Sequence, residues 1–187
     1  MSIIGYYQKY NPGKSKQDFP LTIHQEIFKK GDIILDYMQP VTKMYYLVDG
    51  LVEFNTLSKD EEKIIDFFFK DNFFSAYSSF LQGEPSNIRI KALKACKVEY
   101  FFMNELVQAL DHSLELNQLA RIETEKLFIK RIRREKDLLS KSAETRYLEM
   151  VAENPEIIKN IPVNKIAKYL GIHPESLSRI RKNIKSQ

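Results

Sequence analysis

The side chains of this chain that could do chemistry are concentrated in residues 161–186, which read IPVNKIAKYLGIHPESLSRIRKNIKS. Between Lys159 and Gln187 there are seven Lys or Arg residues and a single acid, Glu175. Cationic side chains at this density neutralise phosphates, and arginine can also hydrogen-bond guanine through two donors at once. The pattern therefore predicts recognition of a polyanion.

Two short amphipathic helix patterns meet at Gly171 in this stretch. The apolar face of the first helix is continued by the second, through Ile166, Ala167, Leu170, Leu177 and Ile180. Gly171 permits the positive φ that a tight turn needs. Such a turn between steeply crossing helices is typical of a helix-turn-helix, whose second helix enters the major groove of DNA. The alternative is a solvated helical hairpin.

The second helix supplies most of the candidate DNA contacts. If it begins near Pro174, the residues at 175, 178, 179 and 182 project from one side. Arg179 is the best candidate for a bidentate contact with guanine, and Glu175 either accepts from a cytosine amino group or orients Arg179. Other residues, among them Ser176 and Lys165, are candidates for contacts with phosphate groups. Their positions are equally consistent with solvated side chains. The full candidate set is Glu175, Ser176, Ser178, Arg179, Lys182, His173 and Lys165.

Composition excludes several classes of protein. The 187 residues are 43% hydrophobic and 29% charged, which is typical of a soluble globular protein. Because no run of 18 apolar residues occurs, no membrane span is expected. The N-terminal stretch does not resemble a secretory signal. Cys96 is the only cysteine, which excludes an internal disulfide or an iron–sulfur cluster within one chain and fits a cytoplasmic setting.

Charge is distributed unevenly along the chain. Residues 1–120 contain 13 Lys/Arg and 16 Asp/Glu, a net of −3, whereas residues 121–187 contain 16 and nine, a net of +7. The basic C-terminal part is therefore expected to meet the polyanion, and the acidic part is expected to have another role.

The pattern from Ile27 to Phe102 is strand-like. Met44–Phe54 places β-branched and aromatic residues on both sides of Asp49-Gly50, which predicts a hairpin. Ile88–Ala92 alternates apolar and polar residues, as a half-buried strand does. Several short strands separated by turn residues indicate an antiparallel sandwich or roll.

Helical spacing follows the strands. From Leu114 to Leu139 there is no Gly or Pro, and apolar residues recur at helical intervals. The expected fold is α+β: an antiparallel β-roll of the jelly-roll or cupin-like kind (1–112), a long dimerisation helix (113–140) and an all-α helix-turn-helix domain (141–187).

This order of elements resembles the Crp/Fnr family of bacterial transcription regulators. Residues 28–34 (FKKGDII) and 46–52 (YLVDGLV) are similar to the family's entry into the roll and to its strand–glycine–strand segment. Residues 142–147 (SAETRY), Asn154-Pro155-Glu156 and Ile161-Pro162 are similar to its DNA-binding domains. The resemblance implies a homodimer that binds pseudo-palindromic double-stranded DNA and contacts RNA polymerase. It implies no enzymatic activity.

The family's cyclic-nucleotide cassette is not matched here. Ser75 stands where the cassette has glycine, Ala76 where it has glutamate, and Ser86 where it has the phosphate-binding arginine. Binding of cyclic AMP is therefore not expected, and no cofactor is predicted. The candidate effector pocket comprises Phe73, Phe74, Ser75, Ala76, Tyr77, Ser86, Asn87 and Arg89. Its aromatic residues either line a ligand pocket or fill the roll, and filling is favoured.

Two other functions compete with DNA binding. In one, a ligand-binding or structural β-roll dimer binds protein through its helical tail. In the other, which is least favoured, a cupin-like metalloenzyme carries a helical tail. A cupin site needs clustered histidine and carboxylate ligands, and the predicted strands contain no histidine after His24. No metal site or catalytic residue is therefore predicted.

Overall fold

The computed structural model describes residues 1–59 and 61–185, and within them the chain forms eight β-strands and eight α-helices. The strands are β1 (His24–Phe28), β2 (Ile33–Leu35), β3 (Lys43–Asp49), β4 (Leu51–Ser58), β5 (Glu61–Phe69), β6 (Asn72–Phe74), β7 (Ile88–Ala92) and β8 (Cys96–Phe102). The helices are α1 (Ile3–Tyr10), α2 (Tyr77–Gln82), α3 (Met103–Leu110), α4 (Leu114–Ser140), α5 (Ala143–Glu153), α6 (Glu156–Asn160), α7 (Val163–Leu170) and α8 (Pro174–Lys185). This α+β order confirms the expected fold class. No helix in the described residues combines the length and apolarity needed to span a membrane.

The chain divides into two units, Met1–Lys126 and Leu127–Gln187. In the first, the strands form two antiparallel four-stranded sheets, ordered β1-β8-β3-β6 and β2-β7-β4-β5. Alternation places Val52 and Phe54 of β4 beside Ala92 and Ile90 of β7 in the core between the sheets. Burying each large apolar side chain there contributes roughly 1.5–3 kcal/mol.

The predicted hairpin at Asp49-Gly50 is wrong, because the two strands that flank it lie in different sheets. β3 pairs with β6 and β8, while β4 pairs with β5 and β7. Gly50 has a φ of +119°, and a Cβ at this position would lie 2.7 Å from the Cys96 sulfur and 2.8 Å from the Ala95 carbonyl oxygen. The glycine is needed for a corner between the sheets that passes close to the start of β8.

Helix α1, which the sequence pattern did not predict, covers the outer face of the β3–β8 sheet. The Ile3 amide donates to Glu99 Oε2 at 2.6 Å, so a buried carboxylate satisfies one of the free N–H groups of the first helical turn. The Tyr6 ring lies 5.8 Å from the Tyr46 ring and 5.4 Å from the Phe73 ring. Packing against the sheet therefore holds α1 in place.

The second unit has a small core of its own. Ser142 caps α5 by accepting from the Thr145 amide at 3.1 Å. The core of α5, α6, α7 and α8 consists of Tyr147, Ile157, Ile161, Ile166, Ala167, Leu170 and Leu177. All seven are nearly inaccessible to solvent, so the four helices pack as one body.

Candidate nucleic-acid interface

The turn between α7 and α8 has the hydrogen bonds of a Schellman motif. Gly171 adopts a φ of +72°, its amide donates to the Lys168 carbonyl at 3.2 Å, and the Ile172 amide donates to the Ala167 carbonyl at 3.0 Å. Both bonds satisfy carbonyl groups that the end of α7 would otherwise leave free. The geometry ends α7 abruptly and redirects the chain into α8 within three residues.

His173 is the residue from which α8 starts. Its carbonyl oxygen accepts from the Ser176 amide at 3.0 Å and from the Leu177 amide at 3.2 Å. Pro174 follows at the first helical position, where the missing N–H costs nothing. Leu177 is fully buried against the core, which fixes the rotation of α8 about its axis.

This rotation points the polar side of α8 outward. The exposed candidate residues are Glu175, Ser176, Ser178, Arg179, Lys182 and His173. Lys165 is half-buried and lies on α7 instead. Ser186, at the end of the predicted motif, lies outside the described residues. The structure thus brings six of the seven candidates together at the start and along one side of α8, and leaves Lys165 on the preceding helix.

Helix α7 is held to the C-terminal half of α4 by a cation. The Arg134 guanidinium lies 3.9 Å from the centre of the Tyr169 ring, and it donates to the Tyr169 carbonyl oxygen at 3.3 Å. A cation beside the last carbonyls of α7 also suits the negative end of the helix dipole. The sequence pattern does not predict this contact, because no spacing connects residues 134 and 169.

Ion pairs connect the end of α4 to α5. Lys141 Nζ lies 2.8 Å from Asp137 and 2.7 Å from Glu149. The hydrogen bond from Lys141 lowers the pKa of the Asp137 carboxyl, and the bonds to Asp137 and Glu149 raise the pKa of Lys141. Asp137 and Lys141 therefore remain charged at neutral pH, and the two ion pairs connect the end of α4 to α5.

The predicted effector-pocket residues do not converge on one cavity. Phe73 and Phe74 point to opposite faces of β6, as neighbouring strand residues must. The Phe73 ring lies 4.8 Å from Tyr46 under α1, whereas Phe74 stacks on Tyr45 at 5.2 Å and contacts Phe54 of the other sheet at 6.3 Å. Phe74 therefore fills the roll, as sequence analysis favoured, and Phe73 anchors α1.

The serine hydroxyls at two of the cassette positions form hydrogen bonds within the protein. Ser75 Oγ donates to the Lys43 carbonyl oxygen at 2.8 Å, and the fully buried Ser86 hydroxyl donates to the Ile88 carbonyl oxygen at 2.7 Å. Ala76 is buried as well. Tyr77 stacks on Phe80 at 6.3 Å, and the Asn87 amide donates to Ser79 Oγ at 3.3 Å. These hydrogen bonds leave neither serine hydroxyl proton free for a phosphate.

Arg89 forms ion pairs with two carboxylates. Its Nε donates to Asp36 Oδ1 and its NH1 to Glu62 Oε1, both at 2.6 Å, and the guanidinium lies 4.8 Å from the centre of the Tyr37 ring. The hydrogen bond from Arg89 lowers the pKa of Asp36. Because its neighbours Ile88 and Ile90 face the core, Arg89 faces the other side of β7 and does not replace the cassette arginine.

Residues 25–113 match the family model of the cyclic nucleotide-binding domain. No curated protein matches the sequence. The match covers the β-roll, α3 and the turn before α4.

Solved structures share the fold over nearly the whole chain. FixK2 from Bradyrhizobium japonicum is 19% identical with a TM-score of 0.74, over 89% of this chain and 86% of that chain. A putative Crp/Fnr transcriptional regulator from Eubacterium rectale is 18% identical, also with a TM-score of 0.74, over 97% and 88%. The c-di-GMP-responsive regulator CLP from Xanthomonas campestris is 14% identical with a TM-score of 0.68, over 88% and 87%. The chain therefore has the Crp/Fnr fold, as the resemblance implied.

Proposed function

We propose that this chain is a cytoplasmic, homodimeric transcription regulator of the Crp/Fnr type that binds a specific double-stranded DNA sequence. The observation that carries the proposal is the outward polar side of α8, where Glu175, Arg179 and Lys182 are exposed on a helix-turn-helix with a rigid turn. A helix presented in this way fits the width of the major groove. The fold shared with the regulators named above supports the same role.

One recognition helix reads too few base pairs to select a site in a genome. A two-fold dimer solves this by presenting two such helices about 34 Å apart to a pseudo-palindrome. The long helix α4 carries exposed apolar side chains suited to pairing with a second copy, among them Phe128 and Ile132. By analogy with the Crp/Fnr regulators, RNA polymerase is the proposed protein partner.

The sensor part of the proposal is a diverged roll that does not bind cyclic AMP in the usual way. Ser75 and Ser86 donate to carbonyl groups of the protein, and Arg89 pairs with Asp36 and Glu62. We expect calorimetric titration with cyclic AMP to give no saturable heat at millimolar nucleotide. A saturable signal would contradict the proposal that the roll does not bind cyclic AMP in the usual way, and it would leave the DNA-binding proposal intact.

Selection of bound sequences from a random duplex pool tests the proposed function. We expect a symmetric motif whose half-sites are one helical turn apart, bound with an affinity that falls steeply as salt rises. Arg179→Ala and Glu175→Ala should each lose preference for the motif. Lys159→Ala should not, since it removes an exposed cation that pairs with Glu156 on α6. A protein that remains monomeric and binds no duplex at low ionic strength would overturn the proposal.

A further inference from the structure

One face of α4 is occupied by the chain's own N-terminal segment. Leu116 and Leu119 are buried, and Lys14 Nζ lies 2.6 Å from Glu115. Further along, the Tyr6 hydroxyl donates to Glu123, and Lys126 Nζ donates to the Tyr10 hydroxyl at 2.9 Å. A partner helix must therefore approach α4 from the opposite side.

The opposite side of α4 is an exposed stripe. At 100° per residue, its members fall within an arc of about 60°. Successive members are three, four or seven residues apart, and these are the spacings of a coiled-coil seam. The exposed fractions range from 49% at Ile132 to 86% at Leu139. The stripe consists of Leu114, Arg121, Glu125, Phe128, Ile132 and Leu139.

Two opposite charges interrupt this apolar stripe. Arg121 and Glu125 form an ion pair of 2.8 Å within the chain, with 67% and 55% of their side chains exposed. The arginine precedes the glutamate, which is the less favourable order for a pair four residues apart. The intrachain pair therefore does little for the helix, and both groups remain accessible to a second copy.

We infer that Arg121 and Glu125 form the polar layer of the α4 dimer seam, with each arginine paired to Glu125 of the second copy. The inference rests on the proposed homodimer and names the residues that set its register. A parallel two-fold axis makes the stripe self-complementary, because an arginine and the glutamate one turn later face their counterparts diagonally. A slip of one turn would retain only one of these two pairs, because Arg121 of one copy would then lie directly opposite Glu125 of the other, and it would leave the remaining arginine and glutamate without an opposite charge.

Such a layer gives specificity at some cost in stability, as polar residues in coiled-coil seams do. Correct register matters to this molecule because α4 leads into the unit that carries α8. Misregistered helices would change the separation of the two recognition helices, and with it the half-site spacing. Arg121 and Glu125 are therefore positioning residues for DNA recognition, although neither lies on α8.

Charge reversal tests the inference in the full-length protein. Arg121→Glu and Glu125→Arg alone each place four like charges in the layer, so each homodimer should weaken by at least about tenfold. An equimolar mixture of the two variants should form a heterodimer of wild-type affinity, and the double variant R121E/E125R should regain the homodimer. Sedimentation equilibrium and native mass spectrometry of the mixture measure these outcomes.

The possible failures are distinguishable. Single variants that dimerise like the wild type, or a mixture with no preference for the heterodimer, would overturn the inference while the wild-type dimer and its DNA binding remain. A monomeric wild type that binds no DNA would overturn both the inference and the proposed function.

Discussion

Arg179 and Glu175 stand one helical turn apart on the exposed side of α8, and the difference between arginine and lysine tests what Arg179 reads. Lysine keeps the charge but lacks the planar fork that bonds guanine O6 and N7 together. Arg179→Lys should therefore keep nonspecific binding while losing about 1–3 kcal/mol of discrimination between the selected motif and a one-base variant. Competition gel-shift assays measure this loss. Equal discrimination in wild type and variant would show that Arg179 contacts only phosphate.

Gly50 is a position where a single methyl group should destabilise the fold. Ala would combine a positive φ with contacts of 2.7–2.8 Å to Cys96 and the Ala95 carbonyl, so Gly50→Ala should lower the free energy of unfolding by roughly 3 kcal/mol. Gly83 is the matched control. Its φ is +68° and no atom lies within 4 Å of its virtual Cβ, so Gly83→Ala should cost about 1 kcal/mol. Urea unfolding of both variants checks the difference, and equal losses would refute the close-approach argument.

Residue-level prediction succeeded where local patterning decides a position. Ile166, Ala167 and Leu170 are buried and Gly171 adopts a positive φ, because both properties depend on residues a few positions apart. It failed where contacts between residues far apart in the sequence determine the structure. The Asp49-Gly50 dipeptide is a sound hairpin signal, and only the position of Cys96, 46 residues later, shows that Gly50 turns the chain between sheets. The ion pairs of Arg89 with Asp36 and Glu62 likewise could not be predicted, because no sequence pattern connects these residues.

At the scale of elements, α1 is the helix that the sequence did not predict. Its residues, IIGYYQKY, include glycine, isoleucine and tyrosine, which have modest helix propensity. Burial of Ile3, Tyr6 and Tyr7 against the sheet stabilises it instead. The long helix α4 was predictable because its 27 residues include neither Gly nor Pro, the residues that disfavour a helix most.

The contact between α1 and α4 depends on the Tyr6 hydroxyl. It donates to Glu123 and accepts from Lys126 Nζ at 2.6 Å. Burial, reinforced by the Glu123 carboxylate, raises the pKa of Tyr6, so the hydroxyl stays protonated at physiological pH. Tyr6→Phe should lower the free energy of unfolding by about 1–2 kcal/mol and speed amide exchange of residues 3–10.

Tyr10 is the matched control for Tyr6. Its hydroxyl also accepts from Lys126, at 2.9 Å, but this bond is exposed. The bond from Lys126 lowers the pKa of Tyr10. Tyr10→Phe should therefore change amide exchange of α1 much less than Tyr6→Phe. Identical exchange in the two variants would show that the buried hydroxyl does not hold α1 to α4.

At the scale of the whole molecule, the proposed function requires two copies. The apolar side chains of α4 at Phe128, Ile132 and Leu139 remain exposed, and burying them between two helices would supply the association energy. Phe128→Glu places a charge in this seam, where it cannot be solvated once two copies meet. The dimer dissociation constant should rise at least about a hundredfold, since an unpaired buried charge costs several kcal/mol. Ser140→Glu adds the same charge at an exposed α4 position outside the stripe and should leave the dimer unchanged.

The same pair of variants separates dimer formation from DNA reading. A monomer contacts one half-site, so Phe128→Glu should bind the full palindrome and an isolated half-site with similar affinity, whereas wild type and Ser140→Glu should prefer the palindrome strongly. Inserting five base pairs between the half-sites turns them to opposite faces of the duplex, because B-DNA repeats about every 10.5 base pairs. Wild-type affinity for that duplex should fall to the half-site value. Fluorescence anisotropy with the three duplexes measures these affinities. Equal binding of wild type to the palindrome and the five-base-pair insertion would mean that the two recognition helices are not held at a fixed spacing.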